Sequence, residues 1–174
     1  MKMQIKGILF DFDGTIANTI DLIIATFEHT CREVLGFTPE REKIVATFGL
    51  PLPEAMIALS GKPELVETMR DAYREYNNAH HDDMIRPIPG VKETLEQLKA
   101  QGIKLAVLRR GLDCLQLTQY FDATIALGDT KESKPHPEPM LAACAKLGVK
   151  PEECLCVGDS PFDLQSGRSA GAQT

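Results

Sequence analysis

The sequence has no long apolar run. The longest stretches are only a few residues, such as residues 7–10, and the N-terminus carries no apolar stretch that ends in small residues. A membrane-spanning helix needs about 20 apolar residues, and a secretory signal needs an apolar stretch of roughly 7–15. We therefore expect no membrane span and no signal peptide.

Positive charge is also scarce, since the net charge of the 174 residues is −6. Proteins that bind nucleic acid usually present a basic face to the phosphate backbone, so we expect no nucleic-acid partner. Small anionic substrates stay possible if local donors or a metal ion offset the acidity. With 43% hydrophobic residues, the chain is long enough to bury a core.

The cysteines show no C-x-x-C spacing and no paired histidine motif beside them. They are Cys31, Cys114, Cys144, Cys154 and Cys156. We place the side chains of Cys154 and Cys156 on opposite faces of a strand. We interpret all five cysteines as buried thiols in a reducing compartment, and we therefore expect a cytoplasmic protein. A zinc or redox site is not expected.

Four short apolar runs predict strands that are buried on both faces of a parallel sheet. They cover residues 5–12, 103–108, 123–127 and 154–157. Helical patterns separate the last three, at residues 108–115, with Leu108, Leu112 and Leu115 on one stripe, and at residues 140–147. A further helical pattern, at residues 91–98, precedes the run at 103–108. The alternation predicts an α/β fold with a doubly wound parallel sheet, whose ligand site lies at the carboxyl ends of the strands.

Residues 16–87 differ from the rest of the chain, because they contain helical patterns but no strand-like run. An apolar stripe from Ile20 to Leu35, ended by Gly36, predicts one amphipathic helix. Prolines at 51, 53 and 63 predict further helices over about 54–59 and from 63 to about 77. We predict an inserted helical domain over 16–87, and a discontinuous core of 1–15 and 88–174.

Asp11 and Asp13 lie two residues apart at the end of the first predicted strand, just before Gly14. In such a pair one carboxylate can attack phosphorus and bind a metal, while the other exchanges a proton with the attacking and leaving oxygens. An ordinary acidic turn is the alternative.

A second acidic pair, Asp159 and Asp163, follows the last predicted strand, with Ser160 and Pro161 suited to begin a helix. Carboxylates that converge from two strand ends suit Mg²⁺ better than Zn²⁺. Simple capping of the helix by Asp159 or Ser160 is the alternative.

Lys134 lies between these motifs, in a loop with prolines at 135, 137 and 139. A fixed ammonium there could neutralise a transferred phosphoryl group and steady a nucleophilic carboxylate. Taken alone, the lysine would be read as a surface residue.

In this order after successive strands, three motifs resemble those of the haloacid dehalogenase superfamily: residues 11–15 (DFDGT), the loop Lys134-Pro135-x-Pro137, and residues 158–163 (GDSPFD). The resemblance implies a Rossmann-like core with an α-helical cap, and an aspartyl-phosphate mechanism. It implies Asp11 as nucleophile, Asp13 as general acid/base and Lys134 as stabiliser of the phosphoryl group. It also implies Mg²⁺ held by Asp11, Asp159 and the backbone carbonyl of Asp13, with Asp163 and Ser160 in support.

Residues 73–83, together with 89–91 and 102–107, look most similar to the pyrophosphatase branch of this superfamily. The expected substrate is inorganic pyrophosphate or a small phosphomonoester, and phosphoglycolate phosphatase is the alternative. Cap turns of the kind seen at residues 47–52 can face the substrate. The polar residues 80–83 are interpreted as a helix end rather than a metal site.

The chain departs from the superfamily after residues 103–108, where a Ser or Thr normally binds the phosphoryl oxygens. Here Leu108 is followed by Arg109, Arg110 and Gly111. Either Arg109 replaces the hydroxyl or a loop of several residues is missing, and we favour the missing loop because a strand-to-strand crossover needs about 10–12 residues. A phosphate-binding or regulatory protein that has lost turnover is the competing hypothesis.

The last residues, 170–174, stop where the superfamily enters a further strand. We therefore expect an open sheet edge beside residues 154–157, of a kind that natural folds avoid, and a truncated chain.

Overall fold

The computed structural model describes residues 4–108, 112–126 and 128–174. The chain forms two compact units, one made of the chain up to Asn18 together with Arg86–Thr174, and one made of Thr19–Ile85. The strands are β1 Gly7–Asp11, β2 Ala17–Asn18, β3 Arg86–Pro87, β4 Lys104–Leu108, β5 Ala123–Thr124 and β6 Cys154–Val157. The helices are α1 Ile20–Leu35, α2 Arg41–Val45, α3 Leu52–Ser60, α4 Val66–Met84, α5 Val91–Ala100, α6 Glu138–Leu147 and α7 Pro161–Ala170.

The first unit is built on a parallel sheet with the order β5-β4-β1-β6. Strand β1 is central: Phe10 is paired with Val107 of β4 on one side and with Val157 of β6 on the other. All five residues of β1 are buried, as expected for an apolar strand with neighbours on both edges and helices over its faces. The predicted doubly wound α/β fold is confirmed.

One face of this sheet packs against α6. Its core joins Leu9 of β1 and Ala106 of β4 to Cys144 of α6 and to Cys154 and Cys156 of β6. The prediction that Cys154 and Cys156 point to opposite faces is therefore wrong, because residues two apart on a strand share a face.

The cysteines outside this core behave differently from one another. Cys31 is fully buried in the second unit, whereas Cys114 is exposed, which contradicts the expectation for that residue. Cys114 lies in the turns that follow Leu112, where little chain is available to cover it.

The edge of β6 is not open over its first three residues. The amide of Cys156 donates to the carbonyl of Gln173 at 2.7 Å, and the amide of Gln173 donates to the carbonyl of Cys154 at 2.9 Å. Gln173 thus forms a parallel bridge beside Leu155. The expected bare edge is corrected, because the chain returns to the sheet immediately after α7.

The connection from β4 to β5 contains no α-helix among its described residues. Residues 112–116 form turns, and Thr118–Tyr120 is a single 3₁₀ turn. The helix predicted over 108–115 is therefore wrong at Leu108, which lies in β4, and from Leu112 onwards. The connection is too short to hold both the turns and a crossover helix. Arg109, Arg110 and Gly111 lie outside the described residues, so both interpretations of this segment stay predictions.

Two short strands link the first unit to the helical segment. Residues 16–18 and 86–87, which the sequence assigned to the insertion, belong to the first unit, where β2 and β3 pair in antiparallel fashion. The amide of Ile88 adds a bond to the carbonyl of Ile16 at 3.0 Å. The sequence did not reveal these strands, because two-residue strands have no detectable periodicity.

The second unit is helical. Helix α1 begins at Ile20 and ends before Gly36, as its apolar stripe predicts, and it packs against α4. Its core contains residues from all four helices: Ile24, Phe27, Cys31, Ile44, Ala55, Met56 and Met69. Residues 80–83 lie in the last turn of α4. No helix within the described part of the chain is long and apolar enough to cross a membrane.

Candidate active site

Three acidic side chains meet at the carboxyl ends of β1 and β6. Asp11 is the last residue of β1, Asp159 lies in the turn after β6, and Asp163 lies in the first turn of α7. One carboxylate oxygen from each lies within 4.8 Å of the others. Adjacent parallel strands deliver their following loops to one edge of the sheet, so residues far apart in sequence become neighbours here.

Lys134 joins this cluster from the loop that precedes α6. Its Nζ donates to Asp11 Oδ1 at 2.5 Å and to Asp163 Oδ1 at 2.5 Å. The side chain of Asp163 is only 1% exposed, and that of Asp11 9%. Buried charges of this kind persist only when they are paired and hydrogen-bonded. One ammonium therefore bridges two buried carboxylates.

The protonation behaviour of the cluster follows from burial and from this pairing. Burial raises the pKa of Asp11 above its ordinary value, and Lys134 only partly offsets the effect. Burial also raises the pKa of Asp159. For Lys134 burial acts to lower the pKa, but the two carboxylates outweigh it and the pKa is raised, so the ammonium stays charged.

Helix α7 begins as the sequence predicts, and its start orients Asp163. The amide of Ser160 donates to Asp163 Oδ2 at 3.1 Å, and the amide of Asp163 donates to Ser160 Oγ at 3.4 Å. This reciprocal pair is a capping box at the helix N-terminus. Since one oxygen of Asp163 serves the cap, the other is held in the direction of Lys134.

Two glycines allow the acidic side chains to approach the backbone. A Cβ on Gly14 would lie 2.1 Å from Asp159 Oδ2, and a Cβ on Gly158 would lie 2.4 Å from Cβ and Cγ of Asp163. The sequence showed Gly14 as a turn residue but gave no role to Gly158. A signal was present, because Gly158 stands between a buried strand and an aspartate.

Asp13 is placed differently from the other predicted residues. It lies half-buried in the turn after β1, where it forms an isolated bridge with Ala17. The amide of Gly14 donates to the carbonyl of Ala17 at 2.8 Å and closes this turn. The cluster of three carboxylates does not include Asp13; the residue lies two positions beyond Asp11 along the chain.

The cluster suits a hard divalent cation. Its three carboxylates, from Asp11, Asp159 and Asp163, offer only oxygen donors, which are the ligands that Mg²⁺ prefers. Three carboxylates lie beside the one ammonium of Lys134, so its ion pairs leave negative charge uncompensated. An added cation would supply the missing charge.

The chain is similar to known proteins over nearly its whole length. The family model for haloacid dehalogenase-like hydrolases matches residues 8–174. The chain is 39% identical to Pyrophosphatase PpaX of Halalkalibacterium halodurans over 180 residues, which covers 99% of the chain and 83% of that protein. Because the compared stretch is longer than the 174 residues of the chain, this relative holds residues that the chain lacks. That they form the loop expected after Leu108 stays a prediction.

Solved structures agree with the sequence comparison. A predicted phosphoglycolate phosphatase from Haemophilus somnus has a TM-score of 0.84 and 26% identity, with 99% of this chain and 84% of that chain covered. CbbY from Rhodobacter sphaeroides, solved in complex with phosphate, has a TM-score of 0.75 and 26% identity, covering 97% and 84%. The chain belongs to the haloacid dehalogenase-like hydrolase family and is a hydrolase.

Proposed function

We propose that this hydrolase is a Mg²⁺-dependent phosphohydrolase that works through an aspartyl-phosphate intermediate on Asp11. The observation that carries the proposal is the contact between Lys134 Nζ and Asp11 Oδ1. It fixes one oxygen of a buried carboxylate at the end of β1. A nucleophile held in one direction needs little reorganisation when a phosphoryl group arrives.

In the first step, a carboxylate oxygen of Asp11 attacks phosphorus and the bond from phosphorus to the leaving oxygen breaks. Asp13 donates a proton to that leaving oxygen. In the second step, Asp13 takes a proton from water as the water oxygen attacks phosphorus, and the bond from phosphorus to Asp11 breaks. One carboxyl group thus acts as acid and then as base, a division of labour that suits two carboxylates in neighbouring positions.

Lys134 has two functions in this scheme. Its ammonium, held between Asp11 and Asp163, lowers the charge repulsion between the carboxylate of Asp11 and an incoming phosphoryl group. It then stabilises the charge that spreads over the phosphoryl oxygens in the transition state. Asp163 keeps the ammonium in place, since its other oxygen is anchored by the capping box of α7.

Asp11 and Asp159, with the backbone carbonyl of Asp13, are the residues that we propose to hold Mg²⁺, with Asp163 in support. When bound, the ion neutralises charge on the transferring phosphoryl group. The close approach of Asp159 to Gly14 keeps its carboxylate beside the turn that carries Asp13. A structural relative was solved in complex with phosphate, which supports a phosphate-containing ligand for this chain.

Inorganic pyrophosphate is the substrate that the comparisons favour, because the relatives named pyrophosphatase PpaX match nearly the whole chain at 36–41% identity. A small phosphomonoester such as phosphoglycolate is the second candidate. It is favoured by the structural match to a predicted phosphoglycolate phosphatase.

Phosphate release tests the proposal. The protein and its Asp11→Asn variant are assayed with pyrophosphate, phosphoglycolate and an aryl phosphate, with Mg²⁺ and with a chelator. We expect chelation to abolish release, and we expect Asp11→Asn to lower kcat at least roughly 1,000-fold because the nucleophile is gone. Asp71→Asn, which changes an exposed carboxylate on α4, is the control and should leave kcat unchanged.

Three outcomes separate the hypotheses. Activity of Asp11→Asn equal to that of the parent, without need for metal, contradicts the mechanism. Faster hydrolysis of phosphoglycolate than of pyrophosphate would make the phosphomonoester the first substrate candidate and pyrophosphate the second. Binding of phosphate without release from any substrate would favour a phosphate-binding protein that has lost turnover.

A further inference from the structure

The position of Lys134 depends on the loop between β5 and α6, whose described residues form no helix or strand. Strand β5 contains only Ala123 and Thr124, and α6 does not begin until Glu138. A loop of this length samples many conformations unless it is tied down, and each conformation would carry the ammonium elsewhere. The 2.5 Å contacts of Lys134 therefore require anchors in the backbone around it.

Glu138 supplies an anchor on the N-terminal side of Lys134. The amide of Lys131 donates to Glu138 Oε1 at 3.1 Å, and the amide of Glu132 donates to Glu138 Oε2 at 2.9 Å. Both oxygens of one carboxylate thus hold two consecutive amides. Hydrogen bonds that involve an ionised group are stronger than neutral ones, and these two amides keep the pKa of Glu138 below its ordinary value.

Glu138 also reaches the C-terminal side of Lys134. Its amide donates to His136 Nδ1 at 3.2 Å. The carbonyl of His136 accepts from Ser166 Oγ on α7 at 2.7 Å, and Ser166 is fully buried. Ser166 lies one turn beyond Asp163 on the same helix, so α7 holds both the loop backbone and the ammonium of Lys134.

We propose that Glu138 is a positioning residue for Lys134: by tying residues 131 and 132 to the start of α6, its carboxylate closes the loop around Lys134 and sets the contact with Asp11. This inference rests on the proposed function for its kinetic consequence, but the contact itself can be tested without it. Glu138 does not touch the reacting atoms and acts through Lys134.

The kinetic test compares Glu138→Ala and Glu138→Gln with the parent. We expect Glu138→Ala to lower kcat about 10-fold with KM changed less than about two-fold, because small misplacements of a catalytic group are costly to the chemical step. Glu138→Gln keeps one acceptor oxygen, so its kcat should lie between those of the parent and Glu138→Ala. The matched control is Glu152→Gln, which removes the same charge from an exposed side chain of the first unit outside this loop and should leave kcat unchanged.

A double-mutant cycle separates positioning from a structural role. If Glu138 acts through Lys134, adding Glu138→Ala to Lys134→Ala costs less than about two-fold in kcat. If Glu138 only stabilises the fold, the substitution Glu138→Ala lowers the unfolding midpoint and reduces kcat by the same factor with Lys134 and with Lys134→Ala. That result would overturn the proposal. An unchanged kcat in Glu138→Ala also overturns it.

A crystal structure of Glu138→Ala gives a readout that does not need activity. We expect the distance from Lys134 Nζ to the Asp11 carboxylate to exceed about 4 Å, the usual limit of an ion pair. A distance still near the present 2.5 Å contradicts the proposal. If the parent protein releases no phosphate but this distance lengthens as expected, the proposed function fails and the positioning role stands.

Discussion

Gly14 and Gly102 have nearly the same backbone conformation but different surroundings. Their φ angles are 73° and 75°, in the left-handed region that side chains with a Cβ adopt at a cost. A Cβ on Gly14 would meet the carboxylate of Asp159, whereas one on Gly102 would meet nothing within 4 Å. Alanine substitutions at the two glycines therefore distinguish two effects: both strain the backbone, but only the one at Gly14 displaces a proposed metal ligand.

We predict that Gly14→Ala and Gly102→Ala both lower the free energy of unfolding by about 1–2 kcal/mol, the cost of placing alanine in a left-handed conformation. Only Gly14→Ala should weaken Mg²⁺ activation, by roughly 10- to 100-fold, because the Asp159 carboxylate must move. Mg²⁺ titrations of phosphate release, alongside urea unfolding, measure the two effects. Equal Mg²⁺ dependence in both variants would contradict a role for Asp159 at the metal.

Single residues were predictable from the sequence where a motif stands at the end of a strand. Asp11, Lys134 and Asp163 do meet in the structure, because strand ends of a parallel sheet share an edge. Gly158 and Glu138 were not predictable to the same degree. Their importance lies in what touches them after folding. The position of Gly158 between a strand and Asp159 is a signal for a special residue, but the local sequence does not identify Asp163, or the amides of residues 131 and 132, as the groups that approach.

At the scale of elements, Asp122 joins three segments of the first unit. Its Oδ1 accepts from Lys99 Nζ of α5 at 2.7 Å, and its Oδ2 accepts from the amide of Leu105 of β4 at 2.9 Å. It lies immediately before β5. Partial burial alone would raise the pKa of Asp122, but Lys99 and the amide of Leu105 outweigh it, so the pKa is lowered.

A carboxylate whose pKa is depressed on folding stabilises the protein above its unfolded pKa of about 3.9, and this contribution is lost as the pH falls through the lower folded value. We predict that Asp122→Asn costs less than about 1 kcal/mol at neutral pH, because the ion pair is partly exposed. The difference should shrink below pH of about 4. Urea unfolding of parent and variant across this pH range measures it, and a constant difference would contradict the assignment.

Elements were predicted well where a periodic pattern was long and poorly where the chain was short. Helix α1 has the bounds that its apolar stripe predicts, because the side chains of that stripe are the ones that the helix buries where it packs against α4. The helix predicted over residues 108–115 is wrong in the described residues. Its leucines have helical spacing, but Leu108 lies in β4 and residues 112–116 form turns. Helix α2, with five residues, and strands β2 and β3, with two each, are too short to show a period.

At the scale of the whole molecule, each of the two units has an apolar cluster of its own among the described residues. Leu9 lies fully buried in the sheet core of the first unit, and Met69 lies fully buried in the helical core of the second. Neither residue belongs to the other cluster. A chain that divides its apolar side chains in this way is expected to open in parts, with each core controlling its own unit.

We predict that Leu9→Ala and Met69→Ala each destabilise one unit by about 2–5 kcal/mol, since both remove a fully buried side chain from a packed core. Native-state hydrogen exchange resolves where the loss falls. Met69→Ala should speed the exchange of amides in α1 and α4 while those of β1, β4 and β6 stay protected, and Leu9→Ala should do the reverse. If each substitution accelerates exchange in both units equally, the two cores unfold as one cooperative body, and the division of the chain into independent units is wrong.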